Sequence, residues 1–169
     1  MRFWSIASCA LFLPLFSSAS LSTHADELKH DPVDKSQTED RYVAGLGEIM
    51  TATQMRHAKL WFAGNAANWR LAGFELSEIE EGFEDATKFH PVFKEIPVAA
   101  LLNTFTQQPM LKLKDAIESE DDQRFDAAYS ELTSACNSCH KAANRDFIVI
   151  TTPSASPVSN QKYAMDTSE

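Results

Sequence analysis

The chain has 169 residues and a formal net charge of -9, with 24 acidic side chains against 15 Lys and Arg. That length, with 44% apolar residues, suffices for one domain with a sizeable core. A balance this acidic argues against nucleic acid or an anionic membrane surface as partner, and it admits a basic protein partner drawn in by long-range attraction.

Residues 1–25 are built like a secretory signal peptide. Arg2 supplies the positive start, an apolar run extends from Ile6 to Phe16, and Thr23-His24-Ala25 offers small residues for cleavage. The run is too short to span a bilayer. Ile6-Ala7-Ser8-Cys9 resembles a lipobox, but too little apolar sequence precedes Cys9 for a lipoprotein signal. Cleavage removes Arg2 and no other charge, leaving 14 basic residues and a net charge of -10. The expectation is an exported, soluble, periplasmic protein with no membrane span after cleavage.

Residues 26–37 are polar, with Asp31-Pro32 as a turn signal, and read as a flexible lead-in. Helix signals follow over a domain of residues 38–150. The first helix is predicted from about Thr38 to Ala66, capped by Thr38 or Asp40, with Val43, Leu46, Met50, Thr53, His57 and Leu60 recurring on one face. Gly64-Asn65 and Asn68 punctuate its end. The second runs from about Trp69 to Phe89 with Ala72, Leu76, Ile79, Phe83 and Ala86 as its stripe; Glu75, Glu78, Glu80, Glu81, Glu84 and Asp85 read as a solvated acidic face. His90-Pro91 ends it. The third opens at Pro97, with a kink or short break expected near Thr106–Pro109. Ser119 with Asp122 resembles a capping box for the fourth, predicted from about Glu120 to Arg145. Trp61 and Trp69 read as packing residues, and His30 and His90 as surface residues. Residues 151–169 are rich in Ser, Thr and Pro and read as a loose polar tail. Four apolar stripes joined by short links predict an all-α, antiparallel four-helix bundle.

The fourth helix carries Cys136-Asn137-Ser138-Cys139-His140. Two cysteines three apart with histidine directly after them are the pattern of c-type haem attachment. The two thiols add across two haem vinyl groups, and the adjacent imidazole reaches the iron from one side. A thioredoxin-like pair wants a βαβ setting, and structural zinc wants four ligands. Once the signal peptide is gone, these are the only two cysteines, too few and too close together for a disulfide scaffold. The cofactor expected is one covalent haem c, with Cys136 and Cys139 as anchors and His140 as proximal iron ligand.

A four-helix bundle with this motif on its last helix resembles the class II c-type cytochromes, cytochrome c′ and its low-spin relatives such as the cytochromes c-556. The likeness covers about residues 38–145. In that family an aromatic and then a basic residue often follow the haem histidine by three and four places. Here those places hold Ala143 and Asn144, with Arg145 one step on, and an apolar extension, Phe147 to Ile150, comes after.

The resemblance implies that the first helix fills the sixth iron position: methionine in electron carriers, a bulky apolar residue in gas-binding members. Met50, Met55 and His57 lie on that helix. In an antiparallel pair, counting from the helix ends brings Leu46 to Met50 opposite His140. Met50 and His57 share a face but stand about 10 Å apart along the axis, so only one can reach the iron. Met55 points about 140° away from Met50. Met50 is favoured, His57 has the poorer register, and a position with no protein ligand is the third option. The function expected is single-electron transfer with a redox partner protein, not enzymatic turnover; a homodimer is compatible. The alternatives are a five-coordinate cytochrome c′-like protein that binds NO or CO, and a haem peroxidase using His57 as acid–base.

Overall fold

The computed structural model describes residues 42–165, all within one compact unit. The signal peptide, the lead-in and the caps expected at Thr38 and Asp40 lie outside the described residues. Four α-helices follow in order, α1 (Leu46–Asn65), α2 (Trp69–Phe89), α3 (Val98–Glu118) and α4 (Asp122–Ala142), and together they form a four-helix bundle. Among the described residues there is no strand, only an isolated bridge between Phe93 and Ile96. None of these helices is long and apolar enough to cross a membrane.

The start of α1 corrects the sequence reading. Residues 42–45 are not helical, and Gly45, in an extended conformation, stands at the N-cap. Gly64 is not a breaker: it lies buried in the last turn of α1. The third helix begins one residue after Pro97 and continues through Pro109 without a break. The cap of α4 is Asp121, whose side chain accepts the Arg124 N–H at 3.0 Å, while the Ser119 hydroxyl is turned back to the Asp115 carbonyl at 2.7 Å.

Two of the links share one construction. Ala66-Ala67-Asn68 joins α1 to α2, and Ser119-Glu120-Asp121 joins α3 to α4. In each, the middle residue sits in the left-handed region, Ala67 at φ 50° and Glu120 at φ 53°. The last residue returns its N–H to the ending helix, Asn68 to Ala63 O at 2.9 Å and Asp121 to Ala116 O at 3.1 Å. That is a Schellman ending, which satisfies the carbonyls a helix leaves unpaired. The same Asn68 and Asp121 then cap the next helix with their side chains.

The main core gathers Leu60, Leu76, Ile79, Leu113, Phe125, Tyr129 and Leu132 from all four helices. Complete burial of a side chain as large as Leu60 or Phe125 contributes roughly 1.5–3 kcal/mol. Trp61 and Trp69 pack on this core around Phe125. A smaller cluster of Ile49, Ala86, Val98 and Leu102 lies apart from it, with Met50 and Cys139 against it.

Glu75 departs from the acidic face expected of α2. It is 1% exposed and ion-paired with Arg56 at 3.2 Å and Lys59 at 3.9 Å, both on α1. The other acids of that run stay exposed or half-buried. His90 is half-buried, not a free surface residue, and its Nε2–H donates to the Ala44 carbonyl at 2.7 Å. The tail, read as loose, forms no helix or strand over residues 151–165 but is tied down at Tyr163. The Tyr163 carbonyl accepts from Asn68 Nδ2 at 2.7 Å, and its ring lies 5.4 Å from that of Phe62.

Candidate functional site

α1 and α4 touch far less than α1 and α2, α2 and α3, or α3 and α4 do. A cavity of about 350 Å³ opens between α1 and α4. Its α1 wall carries Gly47, Met50, Gln54 and His57, and its α4 wall carries Cys136, Cys139 and His140. Phe83, Phe93, Ile96 and Leu102 form the apolar back, and Ile148 and Ile150 close one side. Protein interiors are packed nearly as densely as organic crystals, so an apolar space of this size in a small bundle calls for an occupant.

Every site residue singled out in the sequence, Met55 excepted, lines this one cavity. Met55 is 39% exposed and faces outward. The spacing of α4 explains its contribution: Cys136, Cys139 and His140 stand at i, i+3 and i+4, which is one face of a helix. They are spread along a wall, and no three His, Cys, Asp or Glu side chains among the described residues converge to cage a single metal ion.

Both cysteines are unpaired and half-buried. Burial pushes the Cys136 thiol up to about 12, with the neighbouring Cys139 adding to the effect, and burial also raises Cys139. They are therefore neutral thiols at pH 7, not the activated thiolates of redox enzymes.

His140 is half-buried and its Nδ1–H donates to the Ile148 carbonyl at 2.9 Å. That bond places a proton on Nδ1, so in the neutral ring the lone pair lies on Nε2, the tautomer in which an imidazole binds a metal through Nε2. The Ile148 carbonyl arrives there through the end of α4. Asn144 lies in the left-handed region at φ 55°, and Arg145 N–H returns to the His140 carbonyl at 2.8 Å. This third Schellman ending turns Phe147–Ile150 back across the cavity. Nothing in the sequence signals that a backbone carbonyl of the extension meets His140.

His57 is differently placed. It is 4% exposed and stacked on Tyr129 at 4.4 Å. Thr133 donates its hydroxyl proton to the Tyr129 carbonyl at 2.9 Å, so its oxygen is left to accept from His57 Nε2–H at 3.0 Å. The Tyr129 hydroxyl lies 3.0 Å from His57 Nδ1 and 3.1 Å from the His57 carbonyl and shares its one proton between them. Both ring nitrogens are thus occupied. Met50 has no such ties; it is half-buried, and its thioether shares the small cluster with Cys139.

Burial lowers the pKa of His57 from 6.5 to about 4. Between those two values the unfolded chain holds a proton that the folded chain does not. Stability therefore falls as pH drops through 6.5 and continues to fall to about 4, by about 3 kcal/mol at most. Urea unfolding at pH 6.5 and pH 5 tests this: the parent should lose about 2 kcal/mol more over that interval than His57→Gln does.

The wall residues Phe93 and Ile96 flank a tight turn and exchange backbone hydrogen bonds at 2.9 and 3.0 Å. Its centre, Lys94 and Glu95, lies at φ 47° and 69°, where side chains larger than glycine are strained. Backbone strain held next to a cavity is a common mark of a functional site. Comparison with protein-family models, curated proteins and solved structures returns no match.

Proposed function

We propose that this chain is an exported monohaem c-type cytochrome of the class II kind, carrying single electrons in the periplasm. The observation that supports it best is the pairing of cavity walls: two thiols and a histidine with a free Nε2 on α4, and a thioether on α1. The donor set fits a haem. Cys136 and Cys139 would anchor it covalently, His140 would ligate the iron, and Met50 would take the sixth position. The apolar back of the cavity suits a porphyrin, and Arg145, the charged side chain on the lining, would offset an acidic group at the edge. Bound there, the haem supplies a one-electron ferric–ferrous couple, and methionine–histidine ligation raises its potential. The three-residue links favour an antiparallel, up-down-up-down course, which is the course the reading requires.

The state of His57 favours Met50 over it as sixth ligand. With both nitrogens hydrogen-bonded to α4 side chains and the ring neutral, His57 would have to break a buried hydrogen bond to ligate iron or to pass a proton to peroxide. A five-coordinate, gas-binding protein is the reading that competes, and it differs at Met50 alone.

The experiment is expression of the full chain in a host that attaches haem c. The colour should persist through denaturation and acid–acetone extraction, and Cys136→Ser with Cys139→Ser should abolish it. The reduced parent should show a low-spin spectrum with little response to carbon monoxide. Rapid carbon monoxide binding by the parent would replace the electron carrier with the gas-binding reading, and colourless protein would end both.

A further inference from the structure

The haem motif has two residues between its cysteines, and haem attachment asks nothing of either. Ser138 is exposed and returns its hydroxyl to Ser134 O. Asn137 behaves otherwise. Its Nδ2–H donates to the Ile150 carbonyl at 2.9 Å, and its Oδ1 accepts the Ile150 N–H at 2.7 Å. This two-point pairing gives one residue of an extended segment what a neighbouring strand would give it.

The segment it grips is the extension after α4. Its near end is held by the Schellman turn and by Ile148 N–H on the Arg145 carbonyl at 2.9 Å. Its far end is held at Ile150 by Asn137. Between the two holds, the Ile148 carbonyl accepts from His140 Nδ1–H. The segment alternates as an extended chain does: Phe147 and Val149 are 75% and 65% exposed, while Ile148 and Ile150 line the cavity.

We infer that Asn137 is a positioning residue for His140. Clamping Ile150 keeps the strap in place, the strap keeps the Ile148 carbonyl on Nδ1–H, and the carbonyl fixes the Nδ1–H tautomer of the neutral ring, so that Nε2 is the atom left to bind a metal. A hydrogen bond accepted from Nδ1–H also makes the imidazole a stronger donor, which favours ferric over ferrous iron. This rests on the reading of His140 as iron ligand, so two measurements are needed to separate the ideas.

The first uses the haem-free full chain. The ¹⁵N shifts of His140 should report a single Nδ1–H tautomer in the parent and a mixture in Asn137→Ala. The second uses the haem-loaded protein. The reduction potential of Asn137→Ala should rise by the equivalent of about a tenfold change in the ferric–ferrous equilibrium, about 59 mV. Asn137→Asp keeps the acceptor for Ile150 N–H and should shift less, and Ser138→Ala should not shift. Circular dichroism should show unchanged helix in all three. Parental tautomer and parental potential in Asn137→Ala would overturn the inference. A chain that takes up no haem, yet loses its tautomer in Asn137→Ala, would sink the haem reading and keep the positioning role.

Discussion

Met50→Ala is expected to convert the reduced protein from a low-spin form that resists carbon monoxide to a high-spin form that binds it at least tenfold faster. The argument is one of availability. Across the cavity from His140, α1 offers Met50, whose sulfur has no competing partner, and His57, whose nitrogens are both hydrogen-bonded. Removing that sulfur should open the iron. Truncating a half-buried methionine costs about 1–2 kcal/mol, so the fold should survive. His57→Gln should leave the spectrum at its parental position. If Met50→Ala keeps a low-spin spectrum, Met50 is only the flexible gap-filler that most core methionines are.

Gly64→Ala is expected to destabilise the protein by about 2 kcal/mol, roughly thirtyfold in the folded-to-unfolded ratio. A Cβ on Gly64 would come within 2.6 Å of three ring carbons of Phe125. Phe125 cannot withdraw: it is 1% exposed and hemmed in by Trp61, Trp69 and Tyr129. Overpacking of this kind costs about 3 kcal/mol, and the better helix propensity of alanine recovers about 1. Gly47, on the same helix, has nothing within 4 Å of its would-be Cβ, so Gly47→Ala should stabilise by about 0.5 kcal/mol. Urea midpoints distinguish the two. Adding Phe125→Leu to Gly64→Ala should recover part of the loss, and a double-mutant cycle with no coupling would refute the contact.

The helices were legible because each repeats its apolar residues with the period of one helix face. Leu76, Ile79 and Ala86 on α2, and Phe125, Tyr129 and Leu132 on α4, are buried where that period places them. Polar residues were less legible. Glu75 belongs by composition to an acidic face, but Arg56 and Lys59 of α1 neutralise it in the interior. Ser119 looks like a cap three residues before Asp122, but Asp121 stands in the right backbone conformation and takes the role. Gly64 looks like punctuation until Phe125, 61 positions later, is seen against it.

The sequence by itself determined the four helices, their order and the one-sided array of Cys136, Cys139 and His140. These depend on spacing along a single helix, and spacing is local. Only the tertiary structure decided which α1 side chain is free to face that array. His57 and Met50 share a stripe, but His57 meets Tyr129 and Thr133 from α4 and spends both nitrogens, whereas Met50 meets apolar neighbours and keeps its sulfur. The extension from Phe147 to Ile150 shows the same division. Its apolar character is plain in the chain, but its carbonyl on His140 and its clamp on Asn137 exist only because α4 ends in a left-handed turn that folds it back. Hydrogen bonds between distant residues carry no period, so no pattern in the sequence announces them.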